Sequence, residues 1–314
     1  MEKLKVCFIG VGSIAKRHIK NLSAICQEDG IQLSIDAVRR SGKKDSDEIF
    51  EKIDNIFNNI SDLNSIYDIV FITNPTDLHI DTLKEVTAVA KNFFIEKPLT
   101  SLKGIDKVSD YILKEGAVYY VACPLRYSAV IQYIKNNVNL KDVISVRSIS
   151  SSYLPDWRPE QDYRMTYSAH KSMGGGVSID LIHEWDYLTF LFGMPIKVNY
   201  MGGKKSRLEI DSDDYAIYIS EYEDKIVELH LDYFGRKTIR NITLFTNEDT
   251  IIGDIANNKI YFLKSEKVID FQEERDDYQK RELRHFLDMI NGNAEADSDI
   301  NHAVNVLKLT QGEI

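Results

Sequence analysis

Short apolar runs alternate with longer amphipathic segments from the start of the chain to about Cys123. The strands predicted from these runs are Leu4–Ile9, Leu33–Val38, Ile69–Ile72, Phe93–Ile95 and Val118–Ala122. Helical patterns fall between them, at Ser13–Ile25, around Ile49–Phe57, at Leu78–Val89 and at Ile105–Glu115. Strands that are apolar throughout are typical of a parallel sheet covered on both faces. This alternation predicts βαβ units, and therefore a doubly wound Rossmann domain over residues 1–123.

The pattern changes after Cys123. A strand is predicted at Val143–Ser150 and a helix at Val177–Leu191, before four further strands and two final helices. These later elements are Tyr215–Tyr222, Lys225–Phe234, Asn241–Thr246, Lys259–Leu263, Tyr278–Ile290 and Ala303–Leu309. Consecutive strands joined by short turns pair antiparallel. We therefore expect an α/β protein whose second domain, residues 124–314, is an α+β domain with a large, mainly antiparallel open sheet.

Composition narrows the class of protein. Of the 314 residues, 43% are hydrophobic, which supplies a full core, and 39 basic against 49 acidic residues leave a net charge of −10. Such a chain is a poor candidate for binding nucleic acid or an anionic membrane. The three cysteines have no zinc-ligand spacing, so we expect reduced thiols and no metal site. Without a long apolar run or a signal-peptide pattern, the protein is predicted to be cytoplasmic.

The first strand runs directly into a glycine motif. Gly10, Gly12 and Ala15 form GxGxxA between a predicted strand and a predicted helix. Gly10 permits a tight turn, Gly12 lets the backbone approach a pyrophosphate, and Ala15 allows close helix packing. The helix N-terminus adds free N–H groups and a positive dipole end. The motif predicts dinucleotide binding, and a coincidental turn is the alternative.

The end of the second strand should contact the adenosine ribose. An acidic residue there favours NAD, whereas basic residues favour the 2′-phosphate of NADP. Here the strand ends in Arg39-Arg40-Ser41, with Lys43-Lys44 close behind, while Asp36 lies inside the strand. Two guanidiniums and a hydroxyl suit a phosphate, so NADP(H) is favoured over NAD(H). A solvated basic turn is the alternative.

Three further segments carry a resemblance to a known family. They are FITNPTDLH (Phe71–His79), FIEKPLT (Phe94–Thr100) and GGGVSIDLIHEWDYLTFLFG (Gly174–Gly193). With the glycine motif, they make the chain resemble the glucose–fructose oxidoreductase/inositol dehydrogenase (Gfo/Idh/MocA) family over nearly its whole length. The resemblance implies a pyridine-nucleotide oxidoreductase acting on a sugar, cyclitol or derivative. It also implies a homodimer or homotetramer formed through the C-terminal sheet.

The resemblance also implies site residues. Lys97 corresponds to the lysine that touches substrate and nicotinamide ribose, and Asp180 and His183 correspond to the family's catalytic Asp and His. The spacing departs from the commonest pattern, being three residues instead of four, but both spacings share one helical face. Asp186 is the alternative for a supporting role. The expected cofactor-binding residues are Gly10, Gly12, Ser13, Ile14, Arg39, Arg40, Ser41, Thr73, Asn74, Pro75, His79, Glu96 and Lys97.

Hydride transfer to or from an alcohol also requires a proton transfer. Histidine titrates near neutral pH, so we expect His183 to be the general acid/base. Lys97 would stabilise developing charge, and Asp180 would orient the histidine or bind a substrate hydroxyl. The alternatives are a salt bridge between Lys97 and Glu96, a helix-dipole role for Asp180 and a core position for His183.

Residues Ser151–Lys171, just before the predicted catalytic helix, are rich in aromatic and cationic side chains. Aromatic rings stack on sugars, and arginines bind carboxylates or phosphates. The excess of cationic side chains therefore predicts an anionic substrate such as a sugar acid, a sialic-acid-like sugar or a nucleotide sugar. The sequence of this stretch also resembles a subgroup linked to bacterial surface-glycan synthesis. An ordered loop making dimer contacts is the alternative. The expected substrate-binding residues from this stretch are Trp157, Arg158, Tyr163 and Arg164. The family resemblance adds Arg126 and Tyr127, which match a position that family members use for substrate.

These observations favour an NADP(H)-preferring oxidoreductase acting on a sugar or sugar derivative. Two other functions remain open. One is a glycosidase that uses tightly held NAD as a transient oxidant with no net turnover of the cofactor. The other is a nucleotide-binding sensor without catalysis, although a sensor would not need Lys97, Asp180 and His183 together.

Overall fold

The computed structural model describes residues 2–41, 46–111 and 113–314. Its contacts divide the chain into two compact units. The first contains residues 1–122 and 275–304, and the second contains residues 123–274 and 305–314. Residues 275–304 were predicted to belong to the second domain, but their contacts group them with the first unit. The chain first passes from one unit to the other between Ala122 and Cys123, while the predicted domain boundary follows residue 123.

Fourteen strands and eight α-helices are found in the described residues. The strands are β1 Lys3–Ile9, β2 Gln32–Val38, β3 Asn55–Phe57, β4 Tyr67–Ile72, β5 Ala90–Ile95, β6 Tyr119–Val121, β7 Val143–Tyr153, β8 Lys197–Gly203, β9 Tyr215–Glu221, β10 Ile226–Asp232, β11 Phe234–Thr246, β12 Thr250–Asp254, β13 Lys259–Phe262 and β14 Lys267–Asp270. The helices are α1 Ser13–Glu28, α2 His79–Val86, α3 Ile105–Ser109, α4 Ala129–Asn137, α5 Val177–Asp180, α6 His183–Phe192, α7 Arg275–Ile290 and α8 Ile300–Leu309.

The first unit is built on a six-stranded parallel sheet in the order β3-β2-β1-β4-β5-β6. Strand order reverses between β2-β1 and β1-β4, which is where an open α/β sheet forms its ligand crevice at the carboxyl ends of the strands. The predicted Rossmann fold is confirmed. The continuous apolar runs have the expected cause, because β4 and β5 are buried on both faces along nearly their whole length.

The segment around Ile49–Phe57 differs from its predicted helix. It forms a short 3-10 turn, Glu48–Lys52, followed by the edge strand β3. Phe50 is buried beneath the turn, and the Asp47 side chain accepts a hydrogen bond from the Ile49 N–H at 3.0 Å. A local side-chain cap of this kind competes with a longer helix. The predicted helix Ile105–Glu115 is likewise shortened to α3.

Helix α7 packs on the first unit through an aromatic cluster. The Phe286 ring lies 5.3 Å from the ring of Phe94 and 5.5 Å from that of Tyr120, measured between centroids. Polar contacts fix the helix further, since Asp276 accepts hydrogen bonds from both Arg17 and Lys20 of α1. Burying a phenylalanine contributes roughly 1.5–3 kcal/mol. These contacts explain why α7, which lies far along the chain, belongs to the first unit.

The second unit contains an eight-stranded sheet in the order β14-β13-β12-β11-β7-β10-β9-β8. All pairs are antiparallel except β7 with β10, so the predicted mainly antiparallel sheet is confirmed. Residues alternate between the two faces, and the inward set of β9 and β10, including Tyr218, Val227 and Leu229, is fully buried.

The cysteines are free and buried at Cys7, Cys26 and Cys123. Burial raises the pKa of the Cys26 thiol to about 11, which keeps it protonated and unreactive at neutral pH. Within the described ranges, no cluster of His, Cys, Asp and Glu is suited to hold a metal ion. None of the helices in the same ranges combines the length and apolar character that a bilayer crossing requires.

Candidate active site

The glycine loop between β1 and α1 is locked against the turn that follows β4. Gly10 has a φ of 91°, and a Cβ there would lie 2.9 Å from the Asn74 Cα. The Thr73 hydroxyl donates to the Gly10 carbonyl at 2.8 Å, and the Thr73 N–H donates to the Ile9 carbonyl at 3.0 Å. Position 10 therefore requires glycine for both conformation and space. The structure brings these predicted cofactor residues together.

The N-terminus of α1 fits a dinucleotide phosphate. Gly12 is the N-cap, no side chain caps the helix, and its first turn contains no acidic residue. A Cβ on Gly12 would meet no atom within 4 Å, so there is open space beside the loop. Ser13 and Ile14 follow in the first turn, and Ser13 is exposed. Backbone N–H groups at a helix N-terminus facing open space are the arrangement that binds a pyrophosphate.

Basic and hydroxyl side chains surround the end of β2. Arg39 is half-buried with its guanidinium 5.0 Å from the Phe50 ring centroid, while Arg40 and Ser41 are exposed. Asp36 is buried and accepts hydrogen bonds from the Tyr67 hydroxyl and the Asn55 amide, both at 2.8 Å. Asp36 is thus used inside the unit rather than held at the strand tip. Lys43 and Lys44 lie outside the described residues.

His79 joins two loops of the first unit. Its ring nitrogens lie 2.9 Å from the Asn74 carbonyl oxygen and 3.1 Å from that of Pro98, and the side chain is 1% exposed. Burial lowers the pKa of His79, although the Asn74 carbonyl and the Glu96 carboxylate oppose that effect. Direct contact of His79 with a cofactor remains a prediction. The observed contacts give it a supporting role, holding the Asn-Pro turn to the Lys97–Pro98 segment, which has a cis peptide bond.

The turn after β5 carries Glu96 and Lys97. One Glu96 oxygen accepts a hydrogen bond from the Lys97 N–H at 3.1 Å, and the other lies 2.5 Å from Nε2 of His18. Burial raises the pKa of Glu96, but the hydrogen bond and charge of His18, together with Lys97, outweigh it, so the net pKa is lowered. The carboxylate is therefore ionised at neutral pH. Glu96 organises the turn that presents Lys97, which is half-buried.

In the second unit, the predicted catalytic helix is interrupted. The expected single helix Val177–Leu191 is two helices, with Asp180 ending α5 and His183 beginning α6. Leu181, with φ −98° and ψ 24°, departs from helical geometry between them. The shared helical face was expected from a continuous helix, which the structure does not have, so a common site for Asp180 and His183 stays a prediction. Asp180 is 5% exposed and His183 is partly exposed.

Two tyrosines engage Asp180. The Tyr233 hydroxyl donates a hydrogen bond to Asp180 Oδ2 at 2.5 Å, and the Tyr167 hydroxyl lies close enough for the Asp180 charge to raise its pKa. Burial and the adjacent Asp180 charge raise the pKa of both phenols, so both remain protonated donors at neutral pH. Tyr233 is fully buried, whereas Tyr167 is 41% exposed. Asp180 is thus fixed by a hydrogen bond from the buried Tyr233, and its charge acts on the more exposed Tyr167.

The substrate stretch of residues 151–171 forms a pocket. The pocket is lined by Leu154, Trp157, Arg158, Tyr163, Thr166, Tyr167 and Ser168. Trp157 is fixed by a hydrogen bond from its indole N–H to Ser152 Oγ at 2.8 Å and by edge contact with Tyr233. Gly175 makes the fold of this stretch possible, since a Cβ there would lie 2.1 Å from the Tyr167 carbonyl oxygen. The pocket therefore adjoins Asp180 through Tyr167.

The structure separates the predicted substrate-binding residues into two groups. Trp157, Arg158 and Tyr163 line the pocket. The others lie outside its lining, and their side chains are engaged elsewhere or buried. Arg126 is 1% exposed and makes a two-point ion pair with Asp186, with N···O distances of 2.7 Å. Tyr127 is buried, and Arg164 is bound by Asp162 and Glu209.

Asp186 is therefore engaged by Arg126, and the supporting role raised for Asp186 from the sequence stays a prediction. Three important residues were not assigned by sequence reasoning, namely His18, Tyr167 and Tyr233. His18 and Tyr233 carry no local signal, because only the fold brings them to Glu96 and Asp180. Tyr167 lies in the aromatic stretch, so its position was visible in the sequence but its contact with Asp180 was not.

Comparison with known families gives two matches along the chain. Residues 4–123 match the Gfo/Idh/MocA family described as "Oxidoreductase family, NAD-binding Rossmann fold". Residues 136–312 match its C-terminal alpha/beta domain. Together the matched ranges include the glycine loop, Lys97, the pocket and Asp180.

Individual relatives agree with this assignment. The chain is 26% identical to an uncharacterised oxidoreductase, YrbE, of Bacillus subtilis (strain 168), over 69% of this chain and 63% of the relative. It is 22% identical to the scyllo-inositol 2-dehydrogenase (NAD(+)) of the same organism, over 97% of this chain and 92% of the relative. A solved structure of UDP-N-acetylglucosamine 3-dehydrogenase from Acidithiobacillus ferrooxidans has the same fold, with a TM-score of 0.78 and 19% identity, covering 99% of this chain and 96% of that one. The protein belongs to the Gfo/Idh/MocA family of oxidoreductases.

Proposed function

We propose that this protein is an NADP(H)-preferring dehydrogenase or reductase that transfers a hydride between the nicotinamide and a CH–OH carbon of a sugar derivative. The observation that carries the proposal is the interlocked set of loops in the first unit. The glycine loop packs on the Asn-Pro turn, and His79 joins that turn to the segment presenting Lys97. A cofactor bound at the glycine loop would supply the hydride chemistry.

The chain's own residues would handle the proton and the charge. We assign His183 as general acid/base for the substrate hydroxyl, because imidazole exchanges protons readily near neutral pH. Lys97 would stabilise negative charge on the reacting oxygen. Asp180, fixed by Tyr233, would orient the histidine or grip a neighbouring hydroxyl.

The pocket of the second unit supports a substrate with a ring and a negative charge. Trp157 and Tyr163 offer aromatic faces, as sugar-binding sites commonly do. No hydrogen bond or ion pair with another described residue engages the Arg158 guanidinium, in contrast to Arg164. An arginine left available beside aromatic rings favours a carboxylate or phosphate. One solved structure with this fold is named for a nucleotide sugar, UDP-N-acetylglucosamine, which is in keeping with a nucleotide-sugar substrate.

We extend the proposal to self-association through the second sheet. Met201, Ile219 and Ile226 lie on the outer face of β8, β9 and β10, and each is more than half exposed. Exposed apolar residues grouped on one sheet face are typical of an interaction surface. A homodimer or homotetramer built on this face would cover them.

Replacing Lys97 with Ala should abolish turnover while leaving NADPH binding detectable. Removing one preorganised charge-stabilising donor commonly lowers kcat by about 10²–10³-fold. Cofactor absorbance measures turnover, and fluorescence titration measures binding. Lys91→Ala is the matched control, because Lys91 lies on β5, the strand that precedes the Lys97 turn, is exposed and pairs with Asp68. Full activity of the Lys97 variant would disprove the assigned role.

Replacing Arg39 and Arg40 together with Ala should weaken NADPH binding far more than NADH binding. Each lost charge-assisted hydrogen bond costs about 1.5–3 kcal/mol, so the NADPH dissociation constant should rise at least about tenfold. Lys20→Ala, which removes an exposed cation paired with Asp276, is the control. Equal weakening for both cofactors would contradict a 2′-phosphate site at the end of β2.

Replacing Arg158 with Gln should selectively impair acidic substrates. We expect kcat/KM for a sugar acid or nucleotide sugar to fall about 10- to 100-fold, and that for its uncharged counterpart to change little. Arg147→Gln makes the same charge change at an exposed arginine paired with Glu228, outside the pocket lining. Parallel losses for charged and uncharged sugars would rule out Arg158 as the anion-binding group.

A further inference from the structure

His18 is a buried histidine whose environment in the first unit calls for an explanation. It lies on α1, five residues after Ser13, and is 1% exposed. Its ring packs against Phe94 and Phe71, with centroids 5.0 Å and 6.0 Å apart. In this apolar setting Nε2 lies 2.5 Å from Glu96 Oε1. A histidine buried against aromatic rings and hydrogen-bonded to a partly buried carboxylate has a cost in desolvation, which suggests a purpose besides packing.

Each oxygen of Glu96 has a separate donor. Oε1 receives the Nε2 hydrogen of His18, and Oε2 receives the backbone hydrogen of Lys97 at 3.1 Å. The charged and titratable groups that face this carboxylate are His18 from α1, His79 from α2 and Lys97 beside it. The same carboxylate thus connects the helix that begins at the glycine loop with the backbone of the lysine.

We propose that His18 is a positioning residue for the reaction, holding Glu96 ionised and oriented so that the Lys97 backbone stays fixed at the end of β5. The inference rests on the proposed function, in which Lys97 acts on the reacting oxygen. His18 touches neither substrate nor cofactor in this role. It acts through Glu96, and it links the stability of the lysine turn to the helix that carries the phosphate-binding loop.

The proposal predicts the direction of a pH effect. Burial alone favours the protonated form of Glu96, and the hydrogen bonds to its ionised form counter burial. Removing the His18 donor should therefore raise the pKa of Glu96. A protonated Glu96 is a weaker acceptor for the Lys97 N–H, so the lysine turn loosens as the pH falls. Loss of activity on the acid side should then begin at a higher pH than in the wild type.

The test compares His18→Leu, which removes the donor, with His18→Gln, which retains an N–H donor on a side chain of similar reach. We expect kcat of His18→Leu to fall about 10- to 100-fold, because small displacements of a catalytic group have effects of that size. The NADPH dissociation constant should stay within about twofold. The acid limb of the kcat profile should move to higher pH, and His18→Gln should restore much of both properties.

Ile19→Ala is the control for a purely structural effect, since Ile19 is a fully buried neighbour on α1. It should lower stability without moving the acid limb. If His18→Leu keeps the wild-type acid limb, or if Ile19→Ala shifts it equally, the positioning role is refuted. His18→Gln keeps this comparison available should His18→Leu not fold.

Infrared difference spectroscopy provides a readout that does not depend on turnover. The protonated carboxyl band of Glu96, identified by its loss in Glu96→Gln, should appear at higher pH in His18→Leu than in the wild type. An unchanged titration of that band would overturn the proposal. If the wild-type protein reduces or oxidises no sugar derivative, the proposed function fails, and the infrared titration still decides whether His18 governs Glu96.

Discussion

The close approach of two backbone segments governs the first unit. Gly10 lies so near the Thr73–Asn74 turn that any side chain would collide with it, and the Thr73 hydroxyl closes the contact with a hydrogen bond. This approach leaves the N-terminus of α1 uncapped and facing open space beside Gly12. The strands that lead into these loops, β1 and β4, are almost entirely buried at their carboxyl ends. A close-packed interior of this kind allows the loops little displacement. The glycine loop is therefore held in one conformation by the protein's own contacts.

In the second unit, contacts between side chains, and not between backbone segments, fix the groups around the pocket. Asp180 accepts a hydrogen bond from the buried Tyr233, and its charge raises the pKa of Tyr167, which lines the pocket. The buried ion pair of Arg126 with Asp186 supports α6 from another side. Buried charges are tolerated when fully hydrogen-bonded, and such networks fix a single arrangement of the groups around them. The pocket residues are thus presented by a rigid support.

Local sequence patterns predict much of this architecture. The β strands of the first sheet are continuous apolar runs, and GxGxxA gives the position of the glycine loop directly. The aromatic stretch predicted a substrate site, and three of its residues line the pocket. Patterns failed where tertiary contacts decide the outcome. The 3-10 turn at Glu48–Lys52 depends on the burial of Phe50, and the break at Leu181 divides a segment whose residues favour one helix.

Contacts between residues far apart in the sequence could not be predicted from it, because they also depend on the tertiary structure. Nothing near His18 indicates Glu96, and nothing near Arg126 distinguishes a substrate contact from an ion pair with Asp186. Composition gives the number of arginines, but only the structure separates Arg158, which lines the pocket, from Arg164, which is bound by two carboxylates.

The most direct test of the account follows a deuterium label. A glycoside of a sugar acid, deuterated at the CH–OH carbons of the sugar, is incubated with the enzyme and free NADP⁺, and the cofactor is analysed by mass spectrometry. The account predicts that deuterium accumulates on the nicotinamide in step with an oxidised sugar product. Cleavage of a glycosidic bond with no label in the free cofactor would contradict it, and would indicate a glycosidase that returns the hydride to its substrate.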